Sequence, residues 1–179
     1  MTISTTTIKD SYSGNDSTTE FTYNFKIADE DFIQVIIRTD ATGVEVVKTK
    51  TTHYSISGVG NDSGTVTMVA APATGETLVL RRSTTQTQAL DLIENDPMPA
   101  NNLETAFDKN LSIAQELQEQ IDRSFKVSRT NTITSSEFTD SASDRANKAL
   151  GFDGSGDLTV VADFNPAGGD SALFKFSTT

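Results

Sequence analysis

The feature that most constrains this chain is a change of period near residue 97. Before it, apolar residues tend to alternate with polar ones; after it they recur every three or four positions. Phe21, Tyr23 and Phe25 alternate with Thr22 and Asn24, which puts three aromatics on one face of an extended strand. Further short runs follow: Phe32 to Thr39 with Val35, Ile36 and Ile37, then Val44 to Val47, Tyr54 with Ile56, Val66 with Met68, and Leu78 to Leu80. Turn signals separate them at Asp29-Glu30-Asp31, Thr42-Gly43, the glycine-rich stretch from Gly58 to Gly64, and Pro72 to Gly75. Residues 18 to 84 therefore predict a set of short strands forming a sandwich or small barrel. No strand-helix-strand rhythm occurs, and Gly58 and Gly60 lack the third glycine and following helix of a dinucleotide site.

Pro97 and Pro99 close that region, and Asn101 followed by Glu104 has the spacing of a capping box. From Leu103 to Lys126 there is neither Gly nor Pro. The stretch predicts one amphipathic helix of about 25 residues, roughly 38 Å long. Leu103, Phe107, Ala114, Leu117 and Ile121 fit a seven-residue repeat, with the polar Asn110 at one seam position. Glu119 with Arg123, and Asp122 with Lys126, are acid-first pairs at four-residue spacing. Two destinations are open to the seam: packing on the chain's own β-domain, or meeting copies of itself, where a seam asparagine sets register and strand number.

Ser128 to Ser143 is mostly polar and predicts extended chain with too little apolar area for a core of its own. Ala149 to Phe152 and Leu158 to Val161 flank Asp153-Gly154-Ser155-Gly156-Asp157, which reads as a hairpin. The same segment lacks the later acidic ligand of a calcium loop. The domains expected are a β-sandwich over 1–96, the helix over 97–128, and a linker with hairpin over 129–179 leading to a distal domain.

Composition narrows the function. The 179 residues carry 14 basic and 25 acidic side chains, a formal net charge of −11. Such a surface repels phosphate backbones and anionic membranes, so neither nucleic acid nor membrane is expected as partner. No cysteine is present, which excludes disulfides, thiolate zinc sites and thiol nucleophiles. No secretory signal or spanning-length apolar run is visible, so the expectation is a protein made and kept soluble. Hydrophobic residues are only 35% and Trp is absent, so phenylalanine must supply most of the bulky anchors.

Little here points to catalysis. His53 is the single histidine, at the start of a predicted strand, and a triad would need convergent partners. The acidic groups Asp29, Glu30, Asp31 and Asp91, Glu94, Asp96 read as solvated loop charges rather than a glycosidase pair. No catalytic, cofactor or metal residue is assigned. Arg81 and Arg82 stand out in an acidic chain; as neighbours on a strand they point to opposite faces, one to the sandwich and one to solvent or a partner. Either can clamp a carboxylate locally or on another subunit.

Taken in order, these features resemble a known family. The Tyr12-Ser13-Gly14 start, the Phe21 and Phe25 strand, Phe32 with Val35, Thr52-His53-Tyr54, Leu80-Arg81-Arg82-Ser83-Thr84 and the helix from Leu103 look like the N-terminal tail-attachment domain of tail fibre and tailspike proteins of short-tailed (podovirus-type) phages. The resemblance runs from about Tyr12 to Phe125. Ala146-Asn147-Lys148-Ala149-Leu150-Gly151-Phe152-Asp153 is similar to a phrase at which such proteins pass to their next domain.

The resemblance implies a non-enzymatic virion protein of the tail: a homotrimer that docks on the tail tube, adaptor and nozzle proteins and carries the receptor-binding apparatus. Leu103, Phe107, Asn110, Ala114, Leu117 and Ile121 would form the trimer interface, and Arg81 and Arg82 the tail-docking contact. Ending at residue 179, the chain is expected to be either a piece of a longer protein or an adaptor for a separate receptor-binding protein. Rival expectations are the head of a polysaccharide-degrading tailspike whose catalytic part is absent, and a carbohydrate-binding sandwich. The last would want exposed aromatic platforms, and this chain has three Tyr and no Trp.

Overall fold

The computed structural model describes residues 3–88, 90–91, 100–130 and 140–163. It divides into two compact units, Met1–Ser124 and Phe125–Thr179. The expected proline break at Pro97 and Pro99, and the Phe164, Phe174 and Phe176 region, lie outside the described residues.

The first unit is a mainly antiparallel β structure followed by one helix. Strands β1 (Lys9–Ser13), β3 (Ile33–Thr39), β4 (Glu45–Val47) and β7 (Glu76–Arg82) form a four-stranded sheet in the order β1-β7-β3-β4. Strands β2 (Glu20–Tyr23), β5 (Tyr54–Ser57) and β6 (Gly64–Met68) form a second sheet in the order β2-β6-β5. Helix α1 spans Ala100–Asp122.

The two sheets share one core, as a sandwich does. Phe21 and Tyr23 of β2, Tyr54 of β5, and Val66 and Met68 of β6 cluster with Ile33, Val35 and Ile37 of β3 and Leu78 and Leu80 of β7. Alternation along each strand produces this: in β7 the buried positions are Leu78, Leu80 and Arg82. Burying each large aliphatic side chain contributes on the order of 2 kcal/mol. Phe25 and Ile27 continue the aromatic strand beyond its sheet pairing and are buried all the same.

Strand β1 departs from the sequence expectation, which begins strands at about residue 18. With one bulky apolar residue, Tyr12, Lys9–Ser13 has little pattern of its own; it forms by pairing with β7 from Lys9↔Arg81 to Ser13↔Thr77. Tyr12 and Tyr23 tie it to the second sheet and the second sheet to itself. The Tyr12 hydroxyl donates to the Thr22 carbonyl, and the Tyr23 hydroxyl donates to Ser57 O at 2.8 Å. Gly64 makes room for the latter bond, since a Cβ there would sit 2.1 Å from the Tyr23 hydroxyl and 2.2 Å from Ser57 O.

The turns follow the residues expected for them. Asp29 accepts from the Asp31 N–H and starts a short 3-10 turn over Glu30–Phe32. Gly43 and Gly75 sit at positive φ in the turns after β3 and before β7. Helix α1 starts at Ala100, so Asn101 is inside the first turn rather than capping it; the Thr105 hydroxyl uses its carbonyl. The helix ends before Lys126, where the Ser124 hydroxyl takes the Ile121 carbonyl.

In the second unit, α2 (Ala142–Arg145) begins on Ser141, whose hydroxyl accepts from the Asp144 N–H. Strands β8 (Lys148–Phe152) and β9 (Leu158–Asp163) form the expected antiparallel hairpin. Its turn is organised by the Asp153 carboxylate, which accepts from Ser155 and Asp157 N–H groups at 2.8 and 2.9 Å. Those bonds hold the Asp153 carboxyl below its ordinary pKa. The Phe125 and Phe152 rings meet at 6.3 Å between centroids.

Candidate functional site

Helix α1 packs on the sandwich through its polar side. Ser112 and Glu116 are its buried residues. Arg82, at the end of β7, is 1% exposed and reaches them from below. Its Nε donates to Glu116 Oε1 at 3.1 Å, while Nη2 donates to Gln115 Oε1 and, at 3.4 Å, to the Ser112 carbonyl. Glu116 also accepts from the Thr84 N–H at 3.0 Å and the Thr84 hydroxyl at 2.7 Å. Burial lowers the Arg82 pKa, and Glu116 pulls it back up. Removing one partner of such a buried pair strands the other charge, at a cost of about 3–5 kcal/mol.

Further contacts extend this latch along the helix. Gln115 Nε2 donates to the Thr5 carbonyl at 3.0 Å, and Lys109 donates to the Thr87 carbonyl while lying 5.6 Å over the Phe32 ring. Glu119 takes Arg123 in two bonds of 2.7 and 2.9 Å, the expected four-residue pair. It also lies 3.9 Å from Lys9 and 4.0 Å from Arg81. The Arg123 bonds hold the Glu119 carboxyl below its ordinary pKa against partial burial, with the charges of Arg81 and Lys9 adding to the pull.

The opposite side of α1 is apolar and, among the described residues, uncovered. Phe107 is 68% exposed, Leu117 44% and Ile121 51%; Asn110 and Ala114 are exposed and Leu103 is half-buried. At roughly 100° per residue, these six seam positions fall within an arc of about 80°. Ser112 and Glu116 lie about 160° from its middle. The helix thus has two opposed faces, a polar one that reads its own sandwich and an apolar one that does not.

The adjacent arginines behave differently. Arg82 points inward with Leu78 and Leu80 and is consumed by the helix. Arg81 is on the outer face of the four-stranded sheet, in a groove with Lys9, Arg38, Val79, Glu119 and Arg123. Strand geometry predicts the split between the two but not the partner of Arg82. The signal was present in Ser112 and Glu116, polar residues four apart on the side away from the seam.

The other candidates stay apart. His53 shapes the turn before β5, its Nδ1 accepting from the Thr49 N–H at 3.1 Å. Glu30 and Asp31 pair with Lys50. Glu94 and Asp96 lie outside the described residues. Among the described residues, no group of three or more His, Asp or Glu side chains converges to hold a metal ion. No described helix is long and apolar enough to cross a membrane.

Residues 1–135 match the family model described as Phage T7 tail fibre protein, N-terminal domain. No curated protein matches the chain.

Proposed function

The chain belongs to the phage T7 tail fibre N-terminal domain family, and from that premise we propose that it acts as a trimeric adaptor anchoring the receptor-binding apparatus to the phage tail. As a tail fibre domain it is a structural component of the virion tail. In the proposed arrangement three α1 helices meet along Leu103, Phe107, Asn110, Ala114, Leu117 and Ile121. Each helix keeps its own sandwich on the outside through the Arg82–Glu116 pair.

The observation that carries this reading is the pairing of opposed faces on α1. A helix that needed its apolar stripe for its own β-domain would turn that stripe inward. Here the inward side is Ser112 and Glu116, and Phe107, Leu117 and Ile121 are left for another surface. Isolated exposed apolar residues are ordinary on proteins, but an aligned stripe of this length is an association surface. Three copies of the same stripe satisfy it symmetrically.

Docking on the tail is assigned to the sandwich. Arg81 would contribute through the outer groove it shares with Lys9 and Arg38; Arg82, buried against α1, sets the helix against the sheet and is not itself a docking contact. The tail tube, adaptor and nozzle proteins are the proposed partners at this end. The hairpin of the second unit leads toward a receptor-binding protein or domain.

The test is a double substitution in the seam, Leu117→Asp with Ile121→Asp. Light scattering behind a sizing column should show the wild-type mass fall from about three times 19.2 kDa to a single chain. The far-UV signature of the β-domain should persist. A wild-type chain that is monomeric, or a variant that stays trimeric, would sink the proposal.

A further inference from the structure

A small cavity of about 20 Å³ lies between the polar side of α1 and the end of the sandwich. Its walls include Ile27, Phe32, Arg82, Thr84, Asp108 and Ser112. Two of these residues carry a buried polar atom without a hydrogen-bond partner among the described residues: Arg82 Nη1 and Asp108 Oδ2. The guanidinium is otherwise committed, Nε to Glu116 and Nη2 to Gln115 and the Ser112 carbonyl. Stranding either atom costs about 1–3 kcal/mol, and more where the group is charged.

The needs of the two atoms are complementary. Nη1 carries N–H groups that require an acceptor, and Oδ2 requires a donor. A metal cation cannot accept from the guanidinium and is repelled by it. A halide can accept, but it has no proton to donate to the carboxylate. A water molecule does both. A site for one needs on the order of 10–15 Å³ and two to four polar contacts, and this cavity is large enough for one.

We infer that a single ordered water is built into the latch, accepting from Arg82 Nη1 and donating to Asp108 Oδ2. The hydroxyl oxygens of Thr84, Thr105 and Ser112, also on the cavity wall, offer its remaining contacts. The network then runs from Thr84 through Glu116 and Arg82 to the water and Asp108. One guanidinium reads α1 at 108, 112, 115 and 116, about two helical turns, which fixes the rotation of the helix and hence the direction its apolar seam faces. This site does not depend on the tail-fibre reading.

A crystal structure of the full chain at about 1.5 Å tests it. The expected result is one water peak at about 2.7–3.2 Å from both Arg82 Nη1 and Asp108 Oδ2. A direct Nη1–Oδ2 ion pair, an empty cavity, or a peak showing a halide's anomalous signal after bromide soaking would overturn it. Two variants supply an independent reading. Asp108→Asn keeps an acceptor and should retain the peak with a small drop in Tm, whereas Asp108→Leu fills the space and should lose the peak with a larger drop. Equal drops would count against the water, because loss of the carboxylate charge alone would then account for both.

Discussion

Arg82 Nε and Glu116 Oε1 stand 3.1 Å apart, joining the last residue of β7 to the C-terminal half of α1 with both side chains at least nine-tenths buried. The pair is the contact through which a polar helix face is seated on a β-sandwich. Its energetics follow from burial: the two charges have left water, and each is tolerable because the other is there.

Replacing Glu116 with Ala should therefore cost about 3–5 kcal/mol in urea unfolding at fixed chain concentration. The double change of Arg82→Met with Glu116→Leu should recover most of that loss, since well-packed apolar residues replace buried pairs at little cost. Thr84→Val removes one hydroxyl bond to the carboxylate and should cost about 1–2 kcal/mol. A double variant no more stable than Glu116→Ala would count against this account of the latch.

Gly64→Ala should be out of proportion to its single methyl. The added carbon meets the Tyr23 hydroxyl and Ser57 carbonyl at 2.1 and 2.2 Å, so one of them must move. Overpacking of this kind costs about 1–3 kcal/mol. Combining it with Tyr23→Phe, which removes the hydroxyl, should cost less than the sum of the two; strict additivity would mean they do not share this space.

Asp16 should titrate below an ordinary aspartate. Its carboxylate accepts from the Thr74 hydroxyl at 2.6 Å and the Thr74 N–H at 3.1 Å, and these bonds lower its pKa. Because the folded value is below the unfolded one, the stabilising contribution is complete above the unfolded aspartate pKa. It is lost as pH falls through that value toward the folded one. Carboxyl NMR titration should show the low midpoint in the wild type and a rise toward the ordinary value in Thr74→Val.

Asn110 should limit stability while setting strand number. Asn110→Leu removes a polar group from the proposed seam, and thermal unfolding should shift upward while the distribution of oligomers broadens. A variant with unchanged Tm and an unchanged single mass would mean that Asn110 is outside the seam.

Much of the sandwich was legible because its strands bury one face. Phe21 and Tyr23, Ile33, Val35 and Ile37, and Leu78 with Leu80 announce their side by alternation alone, and the core is made of them. The long helix was legible from its unbroken period. Lys9–Ser13 was not, since the strand owes its existence to the open edge of β7 rather than to its own residues. Nor was the latch: Arg82 and Glu116 are separated by 34 positions, and local pattern cannot say which carboxylate an arginine will meet. The opposite orientation of Arg81 and Arg82 was readable from strand geometry, because neighbours on a strand cannot share a face.

In the proposed trimer the apolar face of α1 is covered by other copies of itself. Its most direct test is the mass of the purified chain by light scattering over a dilution series. A self-associating seam gives a constant mass near three times 19.2 kDa at all but the lowest concentrations. A mass of one chain at every concentration would contradict it, leaving Phe107, Leu117 and Ile121 as a face for some other partner.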